Sequence, residues 1–249
     1  MNFNFAVIIA TYQRKNNLTP NCIKNTANFL NNQTYKNFKI FLIGDKYENN
    51  IEFLNYKELF NNEIYIHNNT ECFRNDFFKI KDNLWTSGGC LARYHGIKTA
   101  IAEKYDYYLH LDDDDLWTND HIEKINLVIN KFKDVDFLIT KSTYCKRILP
   151  RALIRSIYYN NYIVRKCDSV HSSWCINLKT LQDLLNLLYK YRINRIYRFK
   201  NKIEKEVLLP PFDAVILTHL SNLQKQKKIK CICSTYRTVT KKNDHNVPS

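Results

Sequence analysis

Apolar positions in the first 140 residues come in short runs separated by stretches of helical period. Ala6-Val7-Ile8-Ile9-Ala10 is continuously apolar, as expected for a strand buried on both faces of a parallel sheet. Thr19-Pro20 opens a predicted helix that fades at Asn31-Asn32, with proline at an early position where its missing N–H costs nothing. Phe38 to Ile43 predicts a second strand ending at Gly44-Asp45, Ile51 to Phe60 a short helix, and Glu63 to His67 a third strand. Asn68 to Trp85 is polar and irregular, and the Ser87-Gly88-Gly89 turn holds two of only 4 glycines. Ala92 to Lys104 reads as a helix, and Tyr107 to Leu111 as a strand running straight into Asp112-Asp113-Asp114-Asp115. Asp120 with Glu123 resembles a capping box opening a helix through Phe132, and Phe137 to Thr140 is the next strand.

Alternating strands and helices predict an α/β fold with a mostly parallel sheet flanked by helices, in which ligands bind beyond the carboxyl ends of the strands. Thr11, Asp45 and Asp112 all fall at such ends, so three strands aim polar groups at one crevice. The second half is less regular. Tyr144 to Ile148, Tyr162 to Cys167 and Ser173 to Leu178 read as strands, as does Ile229 to Tyr236. Leu178, Leu181, Leu184, Leu185, Leu188 and Tyr191 mark an amphipathic helix, and Phe212 to Leu223 a second one after Pro210-Pro211. With 249 residues, the expectation is one domain over 1–240, divided into 1–118 and 119–240, and a polar tail over 241–249.

The formal charge of +14 is uneven: residues 141–211 hold 15 Lys and Arg against 4 Asp and Glu. Such a stretch attracts anionic membrane surfaces, phosphorylated substrates or nucleic acid, or is a solvated basic face. Nucleic acid is the least favoured of these partners, because Arg192, Arg195, Arg198, Lys200 and Lys202 with Tyr191 and Tyr197 form no known binding signature. The 8 cysteines contain no C-x-x-C pair and several fall in apolar runs, which predicts buried free thiols rather than a zinc ribbon. No cleavable leader and no membrane-length apolar run are visible, so the expected location is cytoplasmic, soluble or peripheral to a membrane.

Four adjacent carboxylates repel one another unless a cation compensates them. Hard oxygen ligands at a strand end suit Mg²⁺ or Mn²⁺, especially where substrate phosphates complete the shell. An acidic loop at a helix start is the plainer alternative.

These residues resemble a known family. Val7-Ile8-Ile9-Ala10-Thr11-Tyr12-Gln13-Arg14, Phe41-Leu42-Ile43-Gly44-Asp45, Gly89-Cys90-Leu91-Ala92-Arg93-Tyr94-His95-Gly96-Ile97 and Leu111-Asp112-Asp113-Asp114-Asp115-Leu116-Trp117 resemble, in order and spacing, the elements of the family 2 glycosyltransferases with the GT-A fold. The resemblance covers roughly residues 5–140 and departs at Tyr94, where the family usually has Asn. It implies a metal-dependent, inverting transferase that moves a sugar from a nucleoside-diphosphate sugar, a UDP sugar first, to a hydroxyl of a glycan, lipid or protein. By the same resemblance, Thr11, Tyr12 and Arg14 border the nucleotide base and Asp45 accepts a hydrogen bond from it. Arg93 approaches the donor phosphates, Asp112 binds the ribose with Asp113 beside it, and Asp114 ligates Mn²⁺ or Mg²⁺.

An inverting transferase needs a base; the resemblance implies one downstream at a helix start, and Asp213 in Pro210-Pro211-Phe212-Asp213 is the best match, with Asp168 and Glu206 as rivals. The family's usual Glu before that Asp is Phe212 here. His245 stands where some members carry an additional metal ligand, and His171 with Trp174 is placed along the acceptor cleft. Plainer roles stay open: Arg93 on a helix surface, Asp45 in a turn, Asp213 as an N-cap, Trp174 in the core. Two other function classes also stay open. A nucleotidyltransferase would want a glycine-rich phosphate loop after the first strand, yet Thr11 to Leu18 has no glycine. A nucleic-acid-binding module would rest on the basic second half.

Overall fold

The structure, a computed structural model, describes residues 2–14, 17–70, 89–144, 146–150, 158–160, 169–189 and 212–241. Among the described residues up to 132 there are five strands and four α-helices: β1 (Phe5–Thr11), α1 (Thr19–Asn31), β2 (Phe38–Asp45), α2 (Asn50–Asn55), β3 (Ile64–Asn69), α3 (Cys90–Ala102), β4 (Tyr107–Asp112), β5 (Asp115–Trp117) and α4 (His121–Phe132). There follow β6 (Phe137–Tyr144), β7 (Arg147–Leu149), β8 (Tyr158–Asn160), β9 (Trp174–Asn177), α5 (Leu178–Leu188), α6 (Phe212–Lys225) and β10 (Cys231–Lys241).

The described strands form one ten-stranded sheet in the order β3-β2-β1-β4-β9-β6-β10-β5, with β7 on β6 and β8 on β10. β3, β2, β1 and β4 run parallel. β9 is antiparallel to both β4 and β6, and β10 is parallel to β6 but antiparallel to β5. The continuous apolar run of β1 has the reason expected: Ala6 and Ile8 face one hydrophobic layer, Val7 and Ile9 the other, all fully buried. Val7, Ile8 and Ile9 each contribute about 1.5–3 kcal/mol by leaving water. Packed with Ile8 are Ile97, Leu181 and Phe212, from α3, α5 and α6. Packed with Val7 and Ile9 are Ile23, Ile122 and Ile129, from α1 and α4. Gly96 lets α3 lie close on β1, because a Cβ there would meet Ile8 Cγ2 at 2.6 Å.

Several boundaries differ from expectation. The 51–60 helix is α2 followed by a 3₁₀ turn over Tyr56–Leu59. β3 runs on to Asn69, because Asn68 and Asn69 pair with Gly44 and Asp45. Asp120 makes no capping bond; its carboxylate takes Thr118 and Lys124 instead, and Glu123 takes Thr34. The 144–148 strand divides into the end of β6 and the start of β7, joined through Lys146 at φ 63°. The 173–178 strand starts at Trp174, after a 3₁₀ turn over His171–Ser173. β10 extends five residues beyond Tyr236 and brings Lys241 with it. The expected strand at 162–167 and the 190–211 part of the basic 141–211 stretch lie outside the described residues. Cys90, Cys175, Cys231 and Cys233 are buried free thiols, as expected. No helix among the described residues is long and apolar enough to cross a membrane.

Candidate active site at the carboxyl ends of the strands

β4 delivers the acidic run. Its first five residues are buried in the two core layers, and the chain then turns through Asp113-Asp114 before β5 resumes at Asp115. The turn sends the four carboxylates to different partners.

Asp113 faces the loop after β1. Arg14 grips it in a bidentate pair, Nη1 at 2.9 Å and Nη2 at 2.6 Å, and Thr11 Oγ1 donates to it at 2.5 Å. Thr11 Oγ1 also lies 2.8 Å from the Tyr47 hydroxyl, and the Asp113 carbonyl accepts from Thr26. The Arg14 guanidinium stacks over the Tyr12 ring at 4.5 Å, and its Nη2 is 3.7 Å from Asp114.

Asp112 faces the crevice. It accepts from His110 Nε2 at 2.8 Å and Arg93 Nη2 at 3.4 Å, with Lys241 Nζ at 3.3 Å on its other oxygen. Burial alone would raise its pKa, but Lys241, His110 and Arg93 outweigh that and hold the carboxyl well below its ordinary range. A carboxylate can only accept, so His110 Nε2 carries the proton, and Nδ1 accepts from the Tyr108 hydroxyl at 2.8 Å. Burial lowers the His110 pKa to about 4, against the pull of Asp112. Asp115 is 1% exposed and receives Ser172 Oγ at 2.6 Å. Burial and the charge of Asp112 push its pKa up, while Lys241 and Ser172 pull it back down.

Asp45 caps the far side. Its Oδ2 accepts the Gly89 N–H at 3.0 Å, tying the end of β2 to the start of α3. Gly89 takes φ 71° there, a conformation that suits glycine. Arg93 follows one turn on, and its Nε is buried without a hydrogen-bond partner among the described residues. Opposite, at the start of α6, Asp213 Oδ2 lies 2.5 Å from His171 Nε2. Burial would raise the Asp213 pKa; His171 and Arg93 overcome that and bring it to about 2. A narrow cleft is lined by Arg93, His110, His171 and Asp213, so Arg93 serves both sides. A roomier cleft of about 490 Å³ lies at the amino ends of the strands, around Asn4, Asn37 and Asn61. Its lining holds Lys36, Glu63 and Glu103 but none of the sequence-predicted site residues.

Residues 6–210 match the family described as Glycosyl transferase family 2. The chain belongs to glycosyl transferase family 2. This family 2 transferase is 38% identical over 176 residues to the protein named "Uncharacterized glycosyltransferase R139" of Acanthamoeba polyphaga mimivirus, covering 68% of this chain and 71% of that one. Among solved structures it is similar to residues 1–349 of S. aureus TarS in complex with UDP-GlcNAc, at 15% identity and a TM-score of 0.59, covering 97% of this chain and 60% of that one. The longer S. aureus TarS structure matches at 13% identity and a TM-score of 0.58, and this chain spans 36% of its length. The fold is therefore GT-A, as the resemblance implies.

Within this family 2 chain, Thr11, Arg14, Asp45, Arg93, Asp112, Asp113 and Asp114 gather around one crevice. Thr11 and Arg14 spend side-chain donors on Asp113, so that carboxylate ties the β1 loop to the acidic turn. Tyr94 packs against Tyr189, with ring centroids 6.0 Å apart. Trp174 is 2% exposed and packs on Phe137, and its ring also lies beside His171, centroids 4.8 Å apart, where both line the narrow cleft. His245, Asp168 and Glu206 lie outside the described residues. Lys241, His110 and Ser172 are participants that the sequence reading missed. The alternating Thr238-Val239-Thr240 was the available signal that the last strand continues to Lys241.

Two donor sets bear on a divalent ion. Ligand atoms of His110, Asp112 and His171 lie within 4.8 Å of one another. Both imidazoles already serve carboxylates, His110 on Asp112 and His171 on Asp213, which suits a proton network better than a metal site. The acidic run fits a hard cation: its ligands are all oxygens, and Asp115 Oδ1 is buried without a hydrogen-bond partner among the described residues.

Proposed function

We propose that this family 2 glycosyltransferase moves a sugar from a nucleoside-diphosphate sugar, specifically a UDP sugar, to a hydroxyl acceptor with inversion at the anomeric carbon. The observation that carries this reading is the position of Arg93: its guanidinium pairs with the strand-end carboxylate of Asp112 and also lines a cleft with the helix-start carboxylate of Asp213. The solved structure of TarS with UDP-GlcNAc supports the donor class.

Asp45, with the loop of Thr11 and Tyr12, borders the base, and Asp112 takes the ribose hydroxyls. Arg93, permanently charged and with no hydrogen-bond partner for Nε among the described residues, faces the diphosphate. A Mn²⁺ or Mg²⁺ ion held by Asp114, with His245 as a further candidate ligand, would neutralise charge on the departing nucleoside diphosphate. Asp213 takes the proton of the acceptor hydroxyl as its oxygen bonds to the anomeric carbon. The bond from that carbon to the phosphate oxygen breaks, and its electron pair leaves with the nucleoside diphosphate. His171 holds Asp213 in place and offers the proton a second residence. The acceptor is a glycan, lipid or protein hydroxyl, and the basic second half favours one at an anionic surface.

The test is a thermal-shift screen of nucleoside diphosphates and their sugars with Mn²⁺, followed by donor hydrolysis. A rise in Tm with UDP and UDP sugars, and release of UDP, is expected. No shift with any nucleotide would refute the donor reading, and release of pyrophosphate would reassign the chain to nucleotidyl transfer.

A further inference from the structure

β10 is an 11-residue strand that changes neighbours along its length. It starts beside β6, passes irregularities between Cys233 and Val239, and ends antiparallel to β5 with Lys241 opposite Asp115. That register drives one ammonium into the acidic run. Lys241 Nζ lies 3.3 Å from Asp112 Oδ2 and 3.7 Å from Asp115 Oδ2, with the side chain 18% exposed. Asp114 adds to the attraction, and the three carboxylates together raise the Lys241 pKa against the effect of burial. The fourth carboxylate, Asp113, is committed to Arg14. The run is thus divided among three protein cations: Arg14 on Asp113, Arg93 on Asp112, and Lys241 between Asp112 and Asp115.

An ammonium is a compact charge with three donors, well suited to sit among carboxylates, but it carries one charge and is tethered. A divalent ion that engages Asp112 or Asp114 would lie against it, and like charges at such range repel strongly in a half-buried site.

We infer that Lys241 is the resident counter-ion of the acidic run, a positioning residue that a divalent cation must displace in order to bind. The inference deepens the donor-site reading of Asp112 and Asp114 and rests on it. Without the divalent ion, Lys241 holds Asp112 and Asp115 together. When the ion arrives, the lysine swings out, and the nucleotide's phosphates become its new partners. Metal loading and donor binding are coupled by this exchange.

The experiment is a Mn²⁺ titration of the nucleotide-free full chain, followed by electron paramagnetic resonance, in wild type, Lys241→Met and Lys241→Arg. Removal of the charge is expected to tighten Mn²⁺ binding ten-fold or more, while Lys241→Arg stays near wild type. Unchanged or weaker Mn²⁺ affinity in Lys241→Met overturns the inference. Circular dichroism checks the fold; should the methionine variant fail to fold, Lys241→Gln, which keeps length and a donor, is read by the same criteria. UDP binding is measured separately by thermal shift. A chain that binds no nucleotide loses the donor reading, whereas the Mn²⁺ comparison still reports on Lys241 alone.

Discussion

His171 Nε2 lies 2.5 Å from Asp213 Oδ2, joining the turn before β9 to the first turn of α6. The pair fixes the carboxylate proposed to receive the acceptor proton. Asp213→Asn is expected to lower kcat by at least 10²-fold with UDP binding unchanged, the range associated with loss of a general base. His171→Gln, which leaves the carboxylate in place but loosens it, should lower kcat less and shift the acid limb of the pH–rate profile toward the ordinary carboxylate range. The Asp213 pKa is held near 2 chiefly by His171 against burial, so its loss raises that value. Full turnover in Asp213→Asn would move the base elsewhere.

Arg93 bears on the donor. Its Nε is buried without a partner among the described residues, while Nη2 reaches Asp112. Arg93→Met should weaken UDP-sugar binding by ten-fold or more in calorimetry, and Arg93→Lys should recover only part of it, because a point charge cannot reproduce the planar fork. Equal affinity in all three proteins would place the phosphates elsewhere.

The Arg14–Asp113 pair is a stability element. Both side chains are largely buried, and removing Arg14 strips the Asp113 carboxylate of its cation. Arg14→Met is therefore expected to cost about 3 kcal/mol in urea unfolding. Arg14→Met with Asp113→Asn should recover much of that loss, and strict additivity of the two changes would show that the residues do not interact.

Acid sensitivity has an identifiable source at His121. The ring is fully buried, stacks on Trp117 at 4.1 Å and contacts Thr238 Oγ1 at 2.7 Å. Burial lowers its pKa from 6.5 to about 3. The unfolded chain therefore binds the proton more readily than the folded one, and stability falls as pH drops from about 6.5 toward 3. The contribution is on the order of 4–5 kcal/mol across that window. In His121→Asn, ΔG of unfolding measured between pH 7 and 4 should have a shallower slope.

The close contact of α3 with β1 predicts a further cost. Gly96→Ala places a methyl 2.6 Å from Ile8 Cγ2, inside a fully buried layer, and should lose about 2 kcal/mol. Gly96→Ala combined with Ile8→Val, which removes the last methyl of the Ile8 chain, offers only partial relief, because the clashing Cγ2 remains.

What could be read from the sequence follows from which interactions are local. β1, β2 and β4 were evident because strands buried on both faces carry uninterrupted apolar runs, and the chain must leave the sheet where those runs stop. Thr11, Asp45 and Asp112 follow from the same logic. The partners of those residues did not follow. Lys241 is 129 positions from Asp112, and Ser172 is 57 from Asp115, separations at which no local pattern speaks. The Asp120–Glu123 pattern misled for the opposite reason: a good local cap was outbid by Thr118, Lys124 and Thr34. β5 and β8, three residues each, are too short to announce themselves by alternation.

The placement of β10 between β6 and β5 has a consequence for the order of folding. Residues 5–132 include the parallel strands β1 to β4 and pack α1, α3 and α4 on them, but β5 has no sheet neighbour until β10 is synthesised. As the chain leaves the ribosome, its acidic turn is therefore present long before Lys241 emerges to compensate it. Closure across 129 residues is slow compared with helix or hairpin formation, so the site should be the last part of the molecule to mature.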